Sequence, residues 1–118
     1  MKGHGLWNNL WAPVRTGWTD VGALTVTGRY CQIGNIVFFE VNVVPGTSVA
    51  TVAGTSYIEL PVTANPSATV FIGFASMVNL TTLVAVGLGV NDTANSRCYV
   101  PSQAATANTL LISGCYEA

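Results

Sequence analysis

"RYCQIGNIVFFEVNVV", residues Arg29 to Val44, is the stretch on which the fold of this 118-residue chain turns. Gly34-Asn35 divides it into two β-rich runs. The pair suits a two-residue hairpin loop, with Gly at the first central position of a type II′ turn. That register sets Ile33 against Ile36, Cys31 against Phe38, Arg29 against Glu40 and Thr27 against Asn42. These four pairs share one face, because side chains alternate along a strand. The opposite face carries Gln32 with Val37, Tyr30 with Phe39, Gly28 with Val41, and Val26 with Val43. It is apolar along most of its length and is the expected core face; its aromatic pair adds about 0.2–1 kcal/mol over alanines.

The first face is split. Its far end holds an Arg29–Glu40 ion pair with Thr27 and Asn42, and its turn end holds Ile33, Ile36, Cys31 and Phe38. An apolar patch of that kind marks a contact. A loop or arm of the same chain is one cover, and a second subunit is the other. The expectation is the subunit, which makes Cys31, Ile33, Ile36 and Phe38 the expected interface.

The sequence outside the hairpin repeats the pattern. Strands are expected near Ala23–Thr27, Arg29–Ile33, Ile36–Val44, Val49–Val52, Tyr57–Leu60, Thr69–Met77, Thr82–Val90, Arg97–Val100 and Thr109–Tyr116. Gly, Pro and Asn clusters separate them, and no stretch shows a capped helical period. Many short strands with such turns imply a sandwich or barrel. "TVFIGFASM" places Val70, Ile72 and Phe74 on one face, while "LVAVGLGV" alternates large Val and Leu with Ala and Gly, a small face suited to close approach. "SQAATAN" is expected to be a loop. Residues 1–17, with Trp7, Trp11 and Pro13 and no clear period, form an irregular Trp-rich connector or arm ahead of a β-sandwich domain spanning 18–118.

Composition narrows the function. Four Lys and Arg face five Asp and Glu, and 8% of residues are charged, against about a quarter in an ordinary soluble domain. So neutral a surface does not suit phosphate backbones, and nucleic acid is not an expected partner. No run reaches the roughly 20 apolar residues of a spanning helix, and "MKGHGLWNNLWAP" has no signal-peptide core; membrane insertion is not expected. Burial between subunits accounts better for high hydropathy with low charge. Cys31, Cys98 and Cys115 form no CxxC pair, so they read as small buried hydrophobes in a protein made in a reducing compartment.

The order "WTDV" (18–21), "VTGRYCQIGNIVFFEVNV" (26–43) and "IELPV" (58–62) resembles the C-terminal domains of bacteriophage tail fibres and tailspikes. Those domains carry a G-x-Y-x-x-x-G-N-x-V signature followed by a short strand ending in Leu-Pro. Gly28, Tyr30, Gly34, Asn35 and Val37 match the first part here, and Leu60-Pro61 the second. The match covers about a third of the chain directly. The resemblance implies a jelly-roll-like β-sandwich that forms a homotrimer at a fibre's distal end. It implies trimerisation and binding of a host cell-surface polysaccharide, in a virion component made in the bacterial cytoplasm. It supplies no fixed set of binding residues.

Two other readings stand beside this one: a free-standing lectin-like carbohydrate-binding domain and a polysaccharide-degrading enzyme. The residues argue against the enzyme. His4 is the single histidine, so a metal site or a His-based triad lacks partners, and no cofactor is expected. Glu40 and Glu59 can be imagined as a glycosidase pair, but Glu40 already has Arg29 across the strand as an ion-pair partner. Sugar binding draws on other residues. Trp7 and Trp11 offer ring faces, although pinning the arm to the body is the plainer role of the Trp group, Trp18 included. The loop bearing Asn91, Asp92, Asn95 and Arg97, with Tyr99 beside it, offers neutral donors and acceptors. These seven residues are the candidate glycan contacts.

Overall fold

Two hairpins and one central strand organise the chain. The computed structural model describes residues 7–66 and 73–118. Eleven strands are described: β1 (Arg15–Thr16), β2 (Thr19–Val21), β3 (Thr25–Ile33), β4 (Ile36–Val44), β5 (Ser48–Thr51), β6 (Tyr57–Glu59), β7 (Phe74–Asn79), β8 (Val84–Asp92), β9 (Arg97–Tyr99), β10 (Gln103–Thr106) and β11 (Leu110–Glu117). No helix occurs among the described residues. The fold is all-β and sandwich-like. An eight-stranded sheet in the order β1-β6-β9-β8-β7-β11-β4-β3 curls into a half-barrel. A three-stranded sheet, β10-β5-β2, adds Val49 to the core on its inner side.

The opening hairpin adopts the expected register in full, from Ile33 against Ile36 to Val26 against Val43. Gly34 has φ +60° and Asn35 is not in the positive-φ region, which is the signature of a type II′ turn. Gly34 is required for its backbone angle, because a side chain there would meet nothing within 4 Å. Val37, Phe39, Val41 and Val43 are fully buried, so the apolar face of β4 is the core face.

An aromatic run stiffens that core. Trp11 meets Tyr30 and Phe39 edge-on at 6.2 and 6.4 Å, and Phe39 meets Tyr116 at 6.0 Å. The buried Tyr116 hydroxyl donates to the Val62 carbonyl (2.7 Å) and accepts from the Val62 N–H (3.0 Å), tying the segment after β6 to β11. Burial pushes Tyr116 up to about 12, and does the same to the Cys98 thiol.

Several expectations are corrected. Gly28 does not break the chain, and β3 runs through it as one strand. Cys31 shares the outer face with Phe38 but is only 6% exposed within a single subunit, so it offers a neighbour little surface. "SQAATAN" contributes β10, which pairs with β5. Strands β1 and β2 were not expected; β1 falls inside the Trp-rich arm and pairs with β6. The first part of the strand expected at Thr69–Met77, with Val70 and Ile72, lies outside the described residues. In β8 the alternation shifts at a bulge, where Met77 pairs with Gly87 and Val78 with Ala85. Val86 thereby packs against the core, while Leu88 and Val90 stay 78% and 66% exposed.

Candidate functional site

The loop that the sequence marks as a polar contact surface is the β8–β9 turn, and most of its polar groups are already engaged. Asn91 lies in β8 and is buried; its Nδ2 donates to the Cys115 carbonyl at 2.9 Å. It is therefore a core residue and not the solvated loop residue expected. Its Oδ1 is buried with no hydrogen-bond partner among the described residues. Asp92 accepts from the Asn95 backbone N–H (3.4 Å) and from Asn95 Nδ2 (2.9 Å), a bond closed inside the turn. Ser96, in the left-handed region at φ +54°, accepts from the Ala64 N–H through Oγ and from the Leu60 N–H through its carbonyl, both at 2.9 Å. The turn is thus pinned to the segment after β6.

What stays accessible is an aromatic–cation cluster beside the turn. The Arg97 guanidinium lies 4.4 Å above the Tyr57 ring, and the Tyr57 and Tyr99 rings meet at 5.3 Å. A hydrogen bond to Tyr99 is the main cause that raises the Arg97 pKa. Tyr57 was not among the expected contacts. It reaches the cluster because β6 pairs with β9 and sets Tyr57 opposite Tyr99, a non-local fact that no local pattern announces. A depression of about 270 Å³ borders this cluster, lined by Leu88, Val90, Tyr99 and Pro101.

Trp7 and Trp11 do not share a surface. Asn8 bridges to the outer edge of β3, its N–H donating to the Tyr30 carbonyl (2.7 Å) and its carbonyl accepting from the Tyr30 N–H (3.1 Å). The arm thereby straddles the edge strand. Trp11 enters on the core side, where Gly28 makes room; a Cβ on Gly28 would stand 2.7 Å from Trp11 and 2.5 Å from Pro13. Trp7 lies on the opposite side, with the Arg29 guanidinium 4.4 Å over its ring. Trp18 donates from Nε1 to the Tyr57 carbonyl at 3.2 Å and packs against the core. Trp11 and Trp18 therefore pin the chain, and Trp7 alone of the three borders the outer face.

That outer face has two zones. Cross-strand pairing sets Cys31, Phe38, Cys115 and Phe74 in one row across β3, β4, β11 and β7. The cysteines are covered, but Phe38 is 39% and Phe74 62% exposed, and Ile33 nearby is 58% exposed. A hollow of about 210 Å³ lies among Trp7, Phe38, Phe74 and Ser113. Past Glu40 the face turns polar, where a second hollow of about 380 Å³ is lined by Asn9, Thr27, Arg29, Glu40 and Asn42 over Leu111. Arg29 grips Glu40 Oε1 through both Nε (2.7 Å) and Nη2 (2.6 Å).

Glu40 and Glu59 do not stand together as a glycosidase pair. Glu40 on β4 and Glu59 on β6 are separated by β9, β8, β7 and β11, on the order of 20 Å along the sheet at the usual strand spacing. Glycosidase pairs stand about 5–10 Å apart. Among the described residues no three of His, Cys, Asp or Glu cluster to hold a metal. A scan against protein-family models finds no match for the chain, and searches of curated proteins and of solved structures find none either.

Proposed function

We propose that this domain is a non-enzymatic assembly and attachment module: a jelly-roll-like sandwich that forms a homotrimer at the tip of a bacteriophage tail fibre or tailspike and binds a host cell-surface polysaccharide. It is made in the host cytoplasm and carried on the virion. One observation carries the reading. The outer face leaves Phe38, Phe74, Ile33, Leu88 and Val90 in water on a chain with only 8% charged residues. Such a face is matched by another apolar surface. The resemblance around Gly28–Val43 supplies the identity of that surface, two further copies of the chain. Of the expected interface, Ile33, Ile36 and Phe38 remain. Cys31 drops out because its own subunit buries it, and Phe74 takes its place at the other end of the row.

The test is size-exclusion chromatography with light scattering. A trimer is expected for the wild type. Phe38→Asp is expected to yield monomer or aggregate, because it sets a charge in a desolvated apolar contact. A monomeric wild type that binds polysaccharide favours the free-standing lectin instead. A Phe38→Asp trimer with an unchanged melting temperature removes this face from the interface.

A further inference from the structure

We infer that the polar hollow between the arm and the β3–β4 face is the saccharide site, and that its ligand is a neutral pyranose unit. The inference rests on the attachment reading above and locates it away from the β8–β9 turn. The hollow is built from two adjacent cross-strand pairs, Thr27–Asn42 and Arg29–Glu40, roofed by Asn9 and floored by Leu111.

Among the described residues its polar groups are open. Neither the Thr27 hydroxyl nor the Asn42 amide has a partner among the described residues. Arg29 occupies only Oε1 of Glu40, which leaves Oε2 to accept. The Asn9 amide donates a long 3.5 Å bond to the Trp7 carbonyl, and its Oδ1 is open. Donors and acceptors therefore converge on one space from three chain segments. A ring bearing several hydroxyls, each able both to donate and to accept, is the ligand that uses such a set.

Charge and shape refine the class. Arg29 and Glu40 cancel one another, so the hollow gives no net attraction to a phosphate or carboxylate, and the open Glu40 oxygen repels one. Leu111 offers an apolar floor for the C–H face of a ring. About 380 Å³ falls inside the usual range for small-ligand sites. The site leaves the exposed Phe38–Phe74 row free for subunit contact, so assembly and attachment use different zones of one face. Three copies in a trimer add avidity to a weak single contact.

The experiment presents the full chain to an array of immobilised neutral and acidic bacterial polysaccharides. It compares wild type with Asn42→Ala, Thr27→Val and a control, Thr63→Ala, whose exposed side chain lies outside the hollow. Light scattering and melting curves confirm that the variants keep the wild-type assembly. Binding to neutral polysaccharides is expected, with a roughly tenfold loss in Asn42→Ala and in Thr27→Val and none in Thr63→Ala. Equal binding by wild type and both hollow variants overturns the site while the attachment reading stands. Binding to acidic polysaccharides alone overturns the ligand class. No binding by the wild type overturns both the inference and the attachment reading.

Discussion

Two hairpins of the same sheet, β3–β4 and β8–β9, treat their polar residues in opposite ways. The β8–β9 turn has the denser polar sequence, yet the Asp92 carboxylate is spent on Asn95 and the Ser96 hydroxyl on Ala64, while Asn91, still in β8, faces inward onto Cys115. The β3–β4 face has fewer polar residues, yet Thr27, Asn42 and one oxygen of Glu40 remain open among the described residues. The difference follows from backbone geometry. In a turn, short polar side chains lie beside unpaired backbone groups and bond to them. On a sheet face, side chains stand clear of a backbone whose groups are consumed by the ladder, so they are left for water or a ligand. Polar density along a sequence therefore measures self-satisfaction as often as availability.

The first way to break this contrast is to remove what holds the open face in place. Phe39→Ala takes a fully buried ring from between Trp11 and Tyr116 and is expected to cost about 3–5 kcal/mol in denaturant unfolding at fixed protein concentration. A loss below 1 kcal/mol would mean that the inner face does not anchor this hairpin.

A sharper comparison makes like changes on the two hairpins. Ser96→Ala orphans the N–H of buried Ala64 and is expected to cost about 1–3 kcal/mol. Thr27→Val, on the exposed face, is expected to stay within about 0.5 kcal/mol. Equal losses would erase the distinction between engaged and open polar groups.

The smallest effect belongs to the ion pair. Arg29 and Glu40 side chains are 46% and 32% exposed, so solvent screens their attraction. Arg29→Ala is expected to cost about 0–1 kcal/mol, less in high salt. A loss of several kcal/mol would place the pair in a desolvated contact between subunits.

The sequence spelled out the β3–β4 hairpin because alternation and a Gly-Asn turn are local signals. Its register, turn type and core face all follow from residues within one stretch. Strands β1, β2 and β10 left no such trace. They are two to four residues long and exist because a partner strand lies alongside, a fact set by distant parts of the chain. The candidate site divides in the same way. Arg97 and Tyr99 do lie side by side next to the turn, as their spacing suggests, but Tyr57 joins them through strand pairing. Trp7 and Trp11 look alike in sequence, and only the crossing of the arm over β3 sends them to opposite sides. The burial of Cys31 and Asn91 was likewise invisible, since what covers a side chain is seldom near it in sequence.

The position of β11 bears on the order of assembly. It is the last described strand along the chain, yet it lies in the middle of the large sheet, joining β4 to β7. The β3–β4 and β7–β8 hairpins can each close on a timescale of about 1–10 μs. They stay two separate pieces until β11 inserts between them, pairing with residues from 31 (Asn79 with Leu110, 110 − 79) to 81 (Ile36 with Glu117, 117 − 36) positions earlier, and contacts of such sequence separation slow folding. Until then β4 and β7 each present an unpaired edge, a template for another chain. Refolding should therefore show a fast hairpin phase and a slower, concentration-sensitive closing phase. A peptide with the sequence of β11, added in excess, would compete for the gap.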